Sequence, residues 1–283
     1  MVAVRRLAIV QSMQSMQATE RPSARDAASV GTLLRDWRQR RRWSQLELAG
    51  IADVSPRHLS CLETGRAEPS REMVLRLADR LEVPLRERNR LLSAAGYAPL
   101  FAERRLDDPA LAAARRAIEL VLKAIEPFPA LAVDRHWNLI AENASVPMLL
   151  GGLPAELLAP PVNVLRVSLH PDGLATRIVN FAEWHHHILA RLERQVRQSG
   201  DAVLAALLDE LAAYPAPSAP RDAIPGSDVL VPLVVESPLG RLSFISTTTV
   251  FGAPNDVLLS EFALETLLPA DEATQAAFLR LAA

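Results

Sequence analysis

Residues 44–66, SQLELAGIADVSPRHLSCLETGR, admit very few local folds. Ser44 and Glu47 have the spacing of a capping box, in which each residue satisfies a backbone N–H of the other's turn. Leu46, Leu48, Ala49 and Ala52 supply the apolar positions of a short helix, and Asp53-Val54 makes a turn. Ser55 caps a second helix, and Pro56 fills its first position, where a missing N–H costs nothing. Leu59 and Leu62 face inward at i and i+3, and Gly65 closes the helix. Arg57, His58, Ser60, Cys61 and Thr64 are left looking outward, on a helix shaped to enter DNA.

Charge points to the same partner. Residues 1–105 carry 19 arginines against 12 acidic residues, a net of +7, and the remainder carries a net of −9. A basic helical front is the footprint of phosphate binding, and an acidic back should avoid DNA. The run Arg38, Arg40, Arg41, Arg42 ends the preceding helix, where the dipole alone favours arginine. It reads either as phosphate-binding or as structural.

The stretch resembles the helix-turn-helix of the lambda-repressor/Cro-like (Xre) family. The matching pieces are Ser44-Gln45, Leu48-Ala49, Val54-Ser55, Leu59, Leu62-Glu63 and Gly65-Arg66, flanked by helices expected over Val30–Arg42, Ser70–Leu81 and Leu85–Ala95. The turn lacks the glycine often found there, but aspartate tolerates the left-handed backbone. The resemblance implies phosphate contacts from Gln45, Ser55 and Arg66, and base-facing positions at Pro56, Arg57 and Cys61, with His58 and Ser60 adjacent. Cys61 reads as a small contact residue or as a redox sensor.

Composition bounds the rest. A chain of 283 residues suggests two domains. No apolar run approaches the roughly 18 residues of a membrane span. The N-terminal MVAVRRLAIV is too short for a signal peptide, and a single cysteine fits a reducing compartment, so a cytoplasmic protein is expected. The polar, aperiodic residues 1–28 read as a disordered extension.

An all-α five-helix head is expected over 29–98, then a linker and connector helix over 99–126. Within the latter, the amphipathic 110–126 is either a connector or the first element of the second domain. Beyond Pro127 the period changes. Short strands are expected at Ala130–Val133 and Trp137–Ala141 around a turn at Asp134-Arg135-His136. A helix at Asn143–Leu150, a loop at Pro154–Val162, and long helices at Leu174–Gln198 and Asp201–Ala213 follow. Tyr214–Ser227 reads as a Pro/Ala-rich loop. Strands at Leu230–Glu236, Arg241–Phe251 and Val257–Leu267 complete the set, with Ser237-Pro238-Leu239-Gly240 as a hairpin turn. This describes an α+β, PAS-like domain over 127–270, a five-stranded antiparallel sheet with helices on one face. A tail over 271–283 ends the chain.

Residues 127–268 are similar to the MmyB-like ligand-binding domain found behind Xre-type heads. The similarity rests on Pro129, Trp137-Asn138-Leu139-Ile140-Ala141-Glu142-Asn143, Asn163-Val164-Leu165-Arg166 and Asn180-Phe181-Ala182-Glu183-Trp184. It continues through Leu189–Leu192, Asp209-Glu210-Leu211 and the hairpin. Where that family often carries His-Pro and an acidic residue before the final hairpin, this chain has Glu236-Ser237-Pro238. The resemblance implies a cavity between helix and sheet for a small apolar ligand, with fatty acids the favoured class. The candidate lining is Trp137, Ile140, Asn143, Phe181, Trp184, Ile188, Phe244 and Phe262, with Arg166, or His185 at the rim, for a carboxylate.

Each candidate has a plainer reading: core packing for the tryptophans, capping for Asn143 and Asn163, a surface or structural arginine for Arg166. Phe181, Trp184 and Ile188 share one helix face. His185-His186-His187 does not suggest a metal site, because consecutive helical residues point about 100° apart. Catalysis has no support: no Gly-rich phosphate loop, HExxH or G-x-S-x-G occurs. The reading is a DNA-binding homodimer that senses a small apolar ligand. The alternative is a PAS-like rear domain that binds only protein.

Overall fold

The computed structural model describes residues 28–105, 108–215, 230–251 and 256–282. The expected N-terminal extension and most of the 214–227 loop lie outside them.

The head is five helices: α1 (Val30–Arg40), α2 (Gln45–Ile51), α3 (Pro56–Glu63), α4 (Arg71–Arg80) and α5 (Leu85–Ala94). Serine starts four of them. Ser29, Ser44, Ser55 and Ser70 each accept a hydrogen bond from the backbone N–H three residues on. Glu47 returns a carboxylate to the Ser44 N–H at 2.6 Å, completing the capping box. Asp53 does adopt the left-handed backbone, with φ 54°. Leu34, Trp37, Leu48, Leu59, Leu62, Leu77 and Leu92 form the core. Gly31 lets α1 lie directly on α3: a Cβ there would collide with the Leu62 carbonyl.

The rear domain begins with α6 (Ala112–Ala124), then β1 (Ala130–Val133), β2 (Leu139–Glu142), α7 (Val146–Leu150), α8 (Val164–Leu169), α9 (Phe181–Ser199) and α10 (Ala202–Ala212). It ends with β3 (Leu233–Ser237), β4 (Gly240–Val250), α11 (Val257–Ser260), β5 (Ala263–Pro269) and α12 (Glu272–Ala282). The five strands form one antiparallel sheet in the order β2-β1-β5-β4-β3. The β3–β4 hairpin turns at Pro238-Leu239, as expected.

Several boundaries differ from expectation. Residues 174–180 are not helical in continuity with α9. Val179 N–H donates to the Val234 carbonyl, and Asn180 brackets β3 through Val234 N–H and Pro232 O, so tertiary pairing overrides the helical pattern. Residues 257–260 form α11 rather than strand, because Asp256 caps their N–H groups. Asn163 does the same for α8, a stretch to which the sequence assigns no element. The expected tail is α12, with Asp271 accepting from Thr274 N–H and Phe278 fully buried. The 110–126 segment is an element of the rear domain: Ile118 and Leu122 of α6 pack on Ala130, Ala132, Ile140, Phe262 and Leu264.

Alternation in β1 shows that the sheet is covered on both sides. Leu131 and Val133 join the cluster made with α8, α9, α10 and α12, whereas Ala130 and Ala132 join the α6 cluster.

Candidate nucleic-acid interface and ligand site

On the head, Pro56, Arg57 and His58 are exposed on the first turn of α3, Ser60 and Cys61 are half-buried, and Arg66 is exposed beyond its end. The Ser55 hydroxyl oxygen accepts from His58 N–H at 3.1 Å, which leaves its own proton to donate outward.

Beneath this face lies a buried ion pair. Arg38 Nε and Nη2 meet the two Glu63 oxygens at 2.6 and 2.9 Å, and Arg38 Nη1 donates to the Trp43 carbonyl at 2.7 Å. Gln45 Nε2 donates to the same carboxylate at 2.8 Å. Burial pushes the Glu63 carboxyl up, but the hydrogen bonds from Arg38 and Gln45 outweigh it and hold it below the usual carboxylate range. The network locks Gln45 at the start of α2, beside α3. The arginine run at the end of α1 is therefore largely structural. Arg38 is internal, Arg41 donates to Leu81 and Glu82 carbonyls, and Arg40 lies over the Trp37 ring. Sequence reasoning named neither Arg38 nor Glu63 as a pair; their separation of 25 residues hides it.

In the rear domain, Trp137, Trp184, Ile188 and Phe244 share one buried cluster, with Phe181 packed at its edge. Both indole N–H groups are satisfied internally, Trp184 by Ser168 Oγ at 2.9 Å and Trp137 by Gln195 Oε1 at 2.8 Å. Ile140 and Phe262 do not belong here; they lie in the α6 cluster. Asn143 is a structural clamp. Its amide donates to the Leu122 and Phe128 carbonyls, and its oxygen accepts from Ala130 and Ser145 N–H.

Neither expected carboxylate partner is free. Arg166 makes a two-pronged pair with Glu210 at 2.6 and 2.7 Å, and Tyr214 donates to that carboxylate at 2.6 Å. Burial, reinforced by Glu210, pushes the Tyr214 hydroxyl up to about 12. His185 is not at a rim: it is buried, with Nε2 3.3 Å from the Leu211 carbonyl of α10 and its ring 5.6 Å from Phe181. His187 stacks on Trp184 at 5.7 Å. Among the described residues, no group of three or more His, Cys, Asp or Glu is arranged to hold a metal ion.

Comparison with known families decides the class. Residues 29–91 match a helix-turn-helix domain, and residues 114–281 match the MmyB-like transcription regulator ligand binding domain. The chain belongs to the MmyB-like transcription regulators. A search of curated proteins returned no match. The matched span takes in α6 and α12, in agreement with their packing in this MmyB-like domain. Both families are regulatory, one binding DNA and the other ligand. No helix among the described residues is long and apolar enough to cross a membrane.

The regulator also has an open groove of about 430 Å³ lined by Met148, Gly151, Arg177, Glu236, Ser237 and Pro238. It falls at the approach to the β3–β4 hairpin. Arg177 spans it, donating to the Glu236 and Gly151 carbonyls.

Proposed function

We propose that this protein is a cytoplasmic, homodimeric regulator whose α3 reads an operator and whose rear domain senses a small apolar ligand, with fatty acids the favoured class. The observation that carries the first half is the exposed Pro56-Arg57-His58 turn on a capped, rigidly backed α3. Arg57 has the fork for guanine O6 and N7, a contact worth about 1–3 kcal/mol of discrimination. Ser55, Gln45 and Arg66 would meet phosphates, with Pro56 and Cys61 also facing bases and His58 and Ser60 beside them. A dimer would place two α3 helices about 34 Å apart on an imperfect palindrome.

Arg57→Ala should relax specificity at one or two base pairs. Arg66→Ala should weaken all sequences alike and lower the salt slope by about one. Salt titrations against an operator and against single half-sites read both effects. An unchanged preferred sequence in Arg57→Ala would remove that residue from base reading, and equal affinity for one and two half-sites would remove the dimer.

The ligand half rests on the cluster of Trp137, Phe181, Trp184, Ile188 and Phe244 between α9 and the sheet. An acyl chain would lie along the α9 face. Because Arg166 and His185 are already engaged, recognition would be of the chain and not of a head group. The protein-only alternative needs an uncovered apolar sheet face, and α6 already covers the second face at the β1–β5 end. Native mass spectrometry of the purified protein should show added lipid mass. After delipidation, medium- and long-chain fatty acids should raise Tm and change operator affinity by a coupling of about 1–3 kcal/mol. If neither quantity moves, the ligand reading is lost and the protein-interaction reading takes its place.

A further inference from the structure

Head and rear domain are joined by more than a tether. Asn89 of α5 is buried and brackets the segment leaving the head: its oxygen accepts from Leu100 and Phe101 N–H, and its amide donates to the Phe101 carbonyl and to Glu103. Ala102 then pairs with Asp256, and Val257 N–H donates to the Ala102 carbonyl. The chain leaving the head is thus bonded on one side to α5 and on the other to α11.

The charge contact beside it is two-pronged. Arg86 of α5 meets both oxygens of Glu261 at 2.7 and 2.9 Å. Arg135, in the β1–β2 turn, approaches the same Glu261 at 3.4 Å and Asp201 at 3.8 Å. Asp201 caps α10. A second contact from the head reaches the same junction, where Arg40 donates to the Ser199 carbonyl at the end of α9.

Glu261 is wired to the middle of the domain. It follows α11 and precedes Phe262, which is buried in the α6 cluster, and β5, which lies between β1 and β4. Two residues into β5, buried Glu265 is held by Arg191 of α9 at 2.7 Å, and Arg191 lies 4.4 Å over the Trp137 ring. Both contacts with the head therefore end on elements that frame the aromatic cluster. In this arrangement the first turn of α3 remains exposed.

The geometry points to an ionic latch, Arg86–Glu261 backed by Arg135, that fixes the orientation of the DNA-binding head on the rear domain. It goes beyond the ligand reading and does not require it. What moves Glu261 relative to the α9–α10 junction turns the head as a body, because Asn89 leaves no slack in the connection. Phe262, assigned to the ligand site from sequence, serves instead as the apolar anchor that seats Glu261.

The test uses the full chain with Cys61→Ser and spin labels at exposed Arg80→Cys on α4 and Arg194→Cys on α9. Pulsed dipolar spectroscopy without ligand should give one narrow distance distribution. Arg86→Gln and Glu261→Gln should each broaden it, and the double variant should broaden it by less than the two effects combined, since both break the Arg86–Glu261 pair while each also loses a contact of its own, Arg86 to Glu103 at 3.0 Å and Glu261 to Arg135 at 3.4 Å. Circular dichroism checks that each variant folds, and the two single variants sit in different domains, so a local defect in one does not mimic the other. An unchanged distribution in either single variant, or a double variant broadened by the full sum of the two, would overturn the latch. The ligand reading is tested separately by added mass and Tm, so the two stand or fall apart.

Discussion

Glu63→Ala should destabilise the head by about 3–5 kcal/mol, the usual cost of leaving a buried charge without its partner. The side chain of Glu63 is 1% exposed, and Arg38 turns both prongs onto it. Removing the carboxylate strands the guanidinium between α1 and α3 and frees Gln45 as well. Hydrogen exchange of α1–α3 amides in the full chain would read the loss. A loss under about 1 kcal/mol would mean that water reaches the pair, as at a surface salt bridge. Replacing both partners together, Arg38→Met with Glu63→Leu, should cost far less than Glu63→Ala alone. Acid should act in the same direction. Glu63's carboxyl is held below its ordinary range in the folded head. Its contribution is present above that range and is lost as pH falls through it toward the folded value.

What the sequence made legible is local. Capping serines, the Ser44–Glu47 box, Pro56 and Asp53 act on groups a few residues away, so their pattern can be read without knowing the fold. The β1–β2 turn and the Ser237–Gly240 hairpin are legible for the same reason. What stayed hidden is non-local. Arg38 sits in a basic run that reads like a phosphate patch, and only Glu63, two helices further on at the end of α3, makes it internal. Arg166 offers a free fork until α10 brings Glu210 against it. Ile140 and Phe262 are as apolar as Trp184 and Phe244, and composition does not say which side of a sheet a residue faces. The alternation Ala130, Leu131, Ala132, Val133 carried that information, but only the packing of Ile118 and Leu122 on the two alanines shows that their side of the sheet is covered. Residues 174–180 show the converse: a single 3-10 turn at Ala175–Arg177 is all that forms before pairing of Ile178, Val179 and Asn180 with β3 overrides the helical pattern.

Phe278→Ala should cost the rear domain about 3–5 kcal/mol, although it lies in a segment that reads as a tail. The signal was present: Asp271 caps the start and alanine and leucine fill the turns, but the chain end invited a bland reading. Phe278 is 0% exposed, meets Phe244 edge-on at 5.7 Å and lies 6.0 Å from Phe128. Thr274, on the same helix, accepts from Ser243 N–H at 2.9 Å, which ties α12 to β4. Deleting the ring leaves a void beside Phe244, in the cluster proposed to hold the acyl chain, where both lost transfer energy and the cavity count against folding. Leu279→Ala, at a position 50% exposed on the other side of the helix, is the control and should stay within about 0.5 kcal/mol. Urea denaturation of the full chain would separate the two. Equal losses would mean that α12 merely rests on the surface, and that β4 holds its place in the sheet without it.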